Sequence, residues 1–250
     1  MENRIKIENT AIEVILTDNN DFAVKELLPG EIVGVRTRYI SIKSGCTYEC
    51  DPKDSNHRTL FFTKGSGNAA SSGQVFQIDE MAVFIPAFQV RYTITSTNGI
   101  EFLEISYEAD EKDNNISSEG NSPYFNKYSK CHTYREAIKS EKTINRTIID
   151  INVMPRFCMG SVETYGEDIV QAHAHPIIDQ LFFGLPCNSC FVKADNDEVP
   201  FEENTLLHIP VGSMHGVAVE EGHCLHYLWL DFFKNNDMSY IKESHLTEDK

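Results

Sequence analysis

Short stretches rich in Val, Ile, Phe and Tyr recur along the chain, and clusters of Gly, Pro, Asn and Asp separate them. Examples lie at residues 38–42, 89–95, 101–105 and 226–230. Apolar segments of this length between turn-forming clusters are typical of β-strands, and many of them in series indicate a sandwich or barrel. The sequence therefore predicts an all-β fold with few short helices.

Three segments depart from this pattern. The glycine-rich residues 64–68 predict a turn. Residues 108–122 are too polar to pack into a core, which predicts a linker near the middle of the chain. Thr133 and Glu136 have the spacing of a capping box, which predicts the start of a short helix before Ala137.

An internal repeat flanks this linker. The triplet Leu-Phe-Phe occurs at 60–62 and at 181–183, and the pair Ile-Pro occurs at 85–86 and at 209–210. Because both landmarks recur in the same order with nearly equal offsets, 121 and 124 residues, they predict two β-domains made by duplication. The predicted organisation is an N-terminal domain, a linker with a short helix, and a C-terminal domain, at residues 1–110, 111–150 and 151–250.

The balance of charges restricts the partners of the chain. Lys and Arg total 22 against 38 Asp and Glu, a net charge of −16. Such a chain repels phosphate groups, so we expect binding neither to nucleic acid nor to a membrane. No apolar run approaches the roughly 20 residues of a membrane helix, and no export signal is visible. Seven Cys residues in this context predict reduced thiols and a cytoplasmic location.

The second repeat carries a histidine constellation. His173 and His175 are separated by one residue, Gln180 follows, and the pattern Pro-x-Gly-x-x-His ends at His215. Alternate residues of a strand face the same side, so the first two imidazoles can enter one cavity. A tight turn around Gly212 would present His215 at the start of the next strand. Because imidazole is the commonest protein ligand of transition metals, this spacing predicts a metal site.

Both motifs resemble those of the cupin superfamily, and the resemblance covers residues 154–233. It implies two cupin-type β-sandwich barrels, the double-stranded β-helix fold. It also implies one divalent metal ion per chain, with Zn, Fe, Mn and Ni not distinguished. Asp179 is an alternative fourth ligand, because Pro176 interrupts the strand alternation. The implied ligands are His173, His175, Gln180 and His215.

The first repeat lacks such a ligand set. None of the residues that the offsets place opposite the four ligands is an imidazole; they are Pro52, Asp54, Thr59 and Arg91. We therefore expect an N-terminal cupin without metal. Its remaining roles are packing, formation of a homodimer, or binding of an anion by Arg91.

Three imidazoles and an amide leave the charge of a divalent metal uncompensated, which favours a small anionic or polar substrate. A metal that polarises a carbonyl can promote proton transfer between neighbouring carbons. Glu163 is the candidate general base and Arg156 the candidate carboxylate anchor. The architecture is similar to that of deoxy-uronate isomerases, which implies an isomerase of a small hydroxylated acid. The alternatives are an iron-dependent dioxygenase and a non-catalytic cupin that binds a small ligand.

Overall fold

A computed structural model describes residues 5–10, 20–108, 113, 123–136, 139–175 and 177–234. Antiparallel β-sheet dominates these residues, and a 3₁₀ helix lies at Tyr128–Lys130, so the all-β prediction is confirmed. The described part contains no helix with the length and apolar character that a bilayer crossing requires. The chain divides into an N-terminal unit, Thr10–Cys131, and a C-terminal unit made of Met1–Asn9 and His132–Lys250.

The strands are numbered in chain order. They are β1 (Lys6–Asn9), β2 (Phe22–Leu27), β3 (Val35–Ile42), β4 (Thr47–Cys50), β5 (Asn56–Ser71), β6 (Gln74–Ile78), β7 (Ala82–Ile85), β8 (Tyr92–Glu108), β9 (Tyr124–Lys127), β10 (His132–Tyr134), β11 (Ile144–Met154), β12 (Phe157–Tyr165), β13 (Asp168–His173), β14 (Ile178–Gly184), β15 (Ser189–Ala194), β16 (Asp197–Glu202), β17 (Thr205–Ile209), β18 (His215–Val219) and β19 (Cys224–Phe233).

In the N-terminal unit the strands follow the order β2-β3-β8-β5-β7-β9, with β4 paired to β8 and β6 paired to β5. Alternate residues of the central strands enclose an apolar interior. Its fully buried members include Ile40, Leu60, Phe84 and Phe102. Because side chains alternate along a strand, these residues define the interior face of β3, β5, β7 and β8.

The C-terminal unit contains two sheets. A seven-stranded sheet has the order β1-β17-β14-β19-β12-β11-β10, and a four-stranded sheet has the order β13-β18-β15-β16. Their interior faces share one buried apolar cluster, which includes Phe182 and Tyr227 of the first sheet and Val217 of the second. Strand β1 pairs with β17, with Lys6 opposite His208, so the start of the chain completes the edge of this distant sheet.

The repeat seen in the sequence has a structural counterpart, with one correction. Leu60 lies opposite Phe84 in the pairing of β5 with β7, as Leu181 lies opposite His208 in the pairing of β14 with β17. However, Leu60 faces the interior of the N-terminal unit. In the C-terminal unit the interior residue is Phe182, and Leu181 is not part of that interior cluster. The offset of 121 therefore pairs residues on opposite faces, since a shift of one residue reverses the direction of every side chain.

Local predictions between and within the units need revision. Residues 64–68 form no turn but continue β5, which runs unbroken from Asn56 to Ser71 with register shifts near Gly65. Thr133 belongs to β10 and caps no helix, while Ala137 and Ile138 lie outside the described residues. Most of the predicted linker at 108–122 also lies outside them. The range 111–150 nevertheless contains β9, β10 and most of β11. The boundary between the two units falls between residues 131 and 132.

Candidate metal centre

Three histidines of the C-terminal unit converge at the end of β13. His173 is the last residue of β13, and His175 lies two residues further along the chain. His215 is the first residue of β18 and lies directly opposite His173. One ligand nitrogen from each ring can be chosen so that all three lie within 4.8 Å of one another. The ring centroids are 4.5 to 5.5 Å apart. The structure thus brings together the three imidazoles that the sequence motifs predicted.

Local turns explain this convergence. Ser213 donates its backbone N–H to the Pro210 carbonyl, and Gly212 has a φ of +76°, so the chain turns tightly just before β18. The Gly212 N–H donates to the His175 carbonyl and ties the two motifs together. Gly216 allows the strands to approach, because a Cβ there would lie 2.8 Å from the Val170 carbonyl oxygen.

Hydrogen bonds to backbone carbonyls fix the orientation of two of the rings. His173 Nδ1 lies 2.8 Å from the Gln171 oxygen, and His215 Nδ1 lies 3.1 Å from the Ser213 oxygen. Since a carbonyl only accepts, each Nδ1 carries the hydrogen and each Nε2 keeps its lone pair for a metal. Burial, reinforced by His173, lowers the pKa of His215 to about 4, and burial also lowers that of His173. Both rings are therefore neutral ligands at pH 7.

Gln180 is the candidate fourth donor. It lies on β14 on the same face as Phe182, whose ring centroid is 6.0 Å from that of His215. Its Nε2 donates to Asp231 Oδ1 at 2.7 Å, which leaves Oε1 as the free end of the amide. That oxygen and His215 Nε2 are both buried without a hydrogen-bond partner. Buried polar atoms are normally paired, so each of these two acceptors is open to a metal ion.

Asp179, the alternative fourth ligand, does not join this group. Among the acidic, Cys and His side chains that the structure describes, the cluster with metal-ligating geometry consists of His173, His175 and His215. Asp179 is not a member of it. Asp179 lies on the face of β14 opposite to Gln180, since successive side chains of a strand alternate.

A second polar group lies beside the histidines and was not foreseen as part of a site. Lys139 Nζ is 2.6 Å from Glu136 Oε2, donates to Asn145 Oδ1 at 2.7 Å, and belongs to a side chain only 6% exposed. Burial lowers the pKa of Lys139, although Glu136 acts in the opposite direction. Tyr134 also hydrogen-bonds Glu136. We call Tyr134, Glu136 and Lys139 the Lys–Glu cluster.

The charges of this cluster act on one of the histidines. Besides burial, the charge of Lys139 lowers the pKa of His173 and that of Glu136 raises it. Asn145, which holds Lys139, is completely buried and lies opposite Val162 of the apolar interior. The ammonium group therefore points toward the interior of the C-terminal unit. The sequence signalled Glu136 only through capping-box spacing, and it gave no signal for Lys139.

The predicted base lies on another face of the sheet, and the predicted anchor lies in a turn. Glu163 is on the face of β12 opposite to Val162, where Arg146 Nη1 donates to it at 2.5 Å. Although burial alone would raise it, this hydrogen bond lowers the pKa of Glu163. Arg156 lies in the turn between β11 and β12 with a φ of +53°. The structure does not place Glu163 in the histidine cluster.

The expectation of seven reduced thiols is wrong for two of them. Cys187 and Cys224 form a disulfide, and Cys46, Cys50, Cys131, Cys158 and Cys190 are free. Cys187 is thus bonded to the first residue of β19.

The position in the N-terminal unit predicted to bind an anion is a surface residue. Arg91 has an exposed side chain, 59% accessible, and pairs with the equally exposed Glu49. Asp54, one of the residues placed opposite the histidines, is half exposed and pairs with Arg58.

Comparisons with solved structures identify the fold. A putative glyoxylate-induced protein from Pseudomonas aeruginosa has a TM-score of 0.76 at 11% identity, over 91% of this chain and 88% of that one. An oxalate decarboxylase from Lactobacillus farciminis, solved as a formate complex, has a TM-score of 0.65 at 15% identity, over 94% and 84%. A cupin 2 conserved barrel domain protein from Leptotrichia buccalis has a TM-score of 0.62 at 14% identity, over 92% and 96%.

These similarities show that the chain has the cupin fold, as the two histidine motifs implied. Scans of family models and of curated proteins find no match to the sequence. At such low identities the neighbours establish the architecture, and the chemistry has to be argued from the residues of this chain.

Proposed function

We propose that the C-terminal unit is a metal-dependent enzyme that moves a proton between neighbouring carbons of a small hydroxylated acid. The observation that carries this proposal is the convergence of three imidazoles, together with a buried amide oxygen of Gln180 that has no partner and a buried Lys–Glu cluster whose charges act on His173. Such a combination offers a site for a Lewis acid next to groups that can exchange protons.

The ligand set fits one divalent transition metal per chain, held by His173, His175, Gln180 and His215. Such an ion, when bound, supplies Lewis-acid polarisation of a carbonyl oxygen. Because none of the four ligands is charged, the site favours an anionic group on the substrate. Similarity to an oxalate decarboxylase solved with formate supports a small carboxylate as the class of substrate.

The Lys–Glu cluster provides the remaining functions. Glu136 is the proposed base, because its charge acts on His173. Its carboxylate is paired with the buried ammonium of Lys139, whereas that of Glu163 is paired with the guanidinium of Arg146 on the outer face. Lys139 holds Glu136 through an ion pair and presents an N–H donor to negative charge that develops on the substrate. Its burial restricts water around the transferred proton.

Metal content tests the ligand assignment. We expect about one equivalent of divalent metal per chain in the purified protein, and a large loss in His215→Ala, as measured by elemental analysis. Asp179→Asn is the matched control, because this residue neighbours Gln180 on the opposite face. Equal metal content in wild type and in a His173→Ala/His215→Ala variant would contradict the assignment.

Solvent deuterium exchange tests the reaction. Metal-loaded protein is incubated in D₂O with a panel of uronates and keto-acids, and incorporation beside the carbonyl is followed by NMR. We expect exchange that a chelator abolishes and that Glu136→Gln slows by about a hundredfold or more, the usual contribution of a general base. Glu163→Gln, an equivalent change on the outer face, should retain the exchange. Uptake of O₂ with a substrate that shows no exchange would instead support a dioxygenase.

A further inference from the structure

The interior of the N-terminal unit becomes polar at one end. Arg38 continues the interior face of β3 below Ile40, Arg58 continues that of β5 below Leu60, and Glu104 continues that of β8 beyond Phe102. Side chains at these positions enter the same enclosed space as the apolar cluster. Two arginines inside a small barrel require an explanation, because buried guanidinium groups are costly unless they are paired.

One arginine is fully accounted for. Arg38 donates from Nε and Nη2 to Glu104 Oε1, and Tyr92 donates its hydroxyl to Glu104 Oε2 at 2.8 Å. Glu104 is completely buried, so both of its oxygens are satisfied within the interior. Arg38 and Glu104 together form a neutral pair.

Arg58 is in a different situation. Its side chain is 9% exposed, and its Nε is buried without a hydrogen-bond partner. Its Nη2 donates to both carboxylate oxygens of Asp54 at 2.7 Å. Asp54 is half exposed and lies in the connection between β4 and β5 rather than in a strand. A buried cation is thus balanced by a carboxylate that reaches it from the solvent side.

We propose that this end of the N-terminal unit binds a small monocarboxylate, which takes the place of Asp54 on the guanidinium of Arg58. Guanidinium and carboxylate groups match each other with two parallel hydrogen bonds, and the idle Nε offers a further donor. A single negative charge balances Arg58, whereas a dianionic phosphate would leave excess charge near the buried Glu104. Tyr48 lies in the same interior and accepts from Arg38, so its own hydroxyl hydrogen remains available for a ligand.

The test measures binding of acetate to the full chain by isothermal titration calorimetry. All proteins carry His173→Ala and His215→Ala, so that binding at the C-terminal site does not contribute. We expect one binding event per chain, and an affinity at least about tenfold lower in Arg58→Gln, since each charge-assisted hydrogen bond contributes that much or more. Arg91→Gln is the matched control, because it removes an arginine paired with a carboxylate on the surface, and it should bind as the parent does.

Asp54→Asn provides the reciprocal test. It weakens the internal competitor of the ligand, so acetate should bind more tightly than to the parent, whereas inorganic phosphate should bind more weakly than acetate to both. This variant also decides the question if Arg58→Gln does not fold. Unchanged acetate affinity in a folded Arg58→Gln protein, or no binding to either the parent or Asp54→Asn, would overturn the proposal.

Discussion

Reduction of the Cys187–Cys224 disulfide should destabilise the C-terminal unit measurably. Cys187 lies in the turn after β14, and Cys224 is the first residue of β19, 37 residues further along the chain. The bond fastens this turn to β19, where Asn188 Oδ1 also accepts from the His226 backbone N–H at 2.8 Å. Loss of the bond leaves the native contacts in place but releases the unfolded chain from a closed loop.

The size of the effect follows from the length of that loop. The loop-closure relation gives about 4 kcal/mol at 25 °C for a separation of 37 residues. For a protein of this size, such a loss corresponds to a decrease in Tm of roughly 10 °C. This value is an upper estimate, because residual structure in the reduced unfolded chain lowers the entropy that the bond removes.

Trp229 provides the assay, because it is the single tryptophan of the chain and packs against the apolar cluster of this unit. Urea unfolding is followed by its fluorescence with and without reductant. Reductant added to a Cys187→Ser/Cys224→Ser variant is the control and should change nothing. Titration of seven rather than five thiols in the untreated, unfolded chain, or an unfolding free energy that reductant leaves unchanged, would refute the reasoning.

Two further substitutions test other contacts of the C-terminal unit. Gly160→Ala should lower the unfolding free energy in the same urea assay by about 2–3 kcal/mol. The reason is that the new Cβ would lie 2.2 Å from the Trp229 ring and 2.4 Å from the Arg146 carbonyl oxygen. An unchanged unfolding free energy would show that the neighbouring strands move apart at little cost. Asp231→Asn should weaken Co²⁺ binding about 10- to 100-fold in calorimetry, because Asp231 fixes the Gln180 amide; unchanged affinity would exclude Gln180 as an oriented ligand.

The parts of the site that the sequence predicted are those encoded by local spacing. His173 and His175 are two residues apart, and the turn before His215 needs only Pro210 and Gly212. Strand geometry and turn geometry therefore fix the directions of these side chains within a few residues. The sequence alone did not decide whether Gln180 or Asp179 faces the histidines. The pairing of β14 with its neighbours shows that Gln180 lies on the interior face.

The remaining parts depend on contacts between distant segments. Asp231 reaches Gln180 because β14 pairs with β19, and Lys139 reaches the interior through Asn145 on β11. Pairing of β1 with β17 joins residues about two hundred positions apart. No local pattern encodes such pairings, since the register of a sheet is set by the packing of whole strands. Local composition also led to a wrong prediction at Gly65, where glycine-rich sequence indicated a turn. The glycine lies instead within a strand, and its missing side chain allows the neighbouring strand to approach closely.

The two units show how one fold carries different chemistry on corresponding faces. On β14 the interior residue two positions before Phe182 is Gln180, and on β5 the interior residue two positions before Leu60 is Arg58. Mid-strand positions of both remain apolar and completely or almost completely buried, so they preserve the fold. Arg58 and Gln180 lie near the starts of their strands, outside this apolar stretch, so a polar residue there disturbs the core less than one in mid-strand. An amide among imidazoles favours a metal, and a guanidinium beside a buried Arg–Glu pair favours an anion, although both stand on the same type of strand.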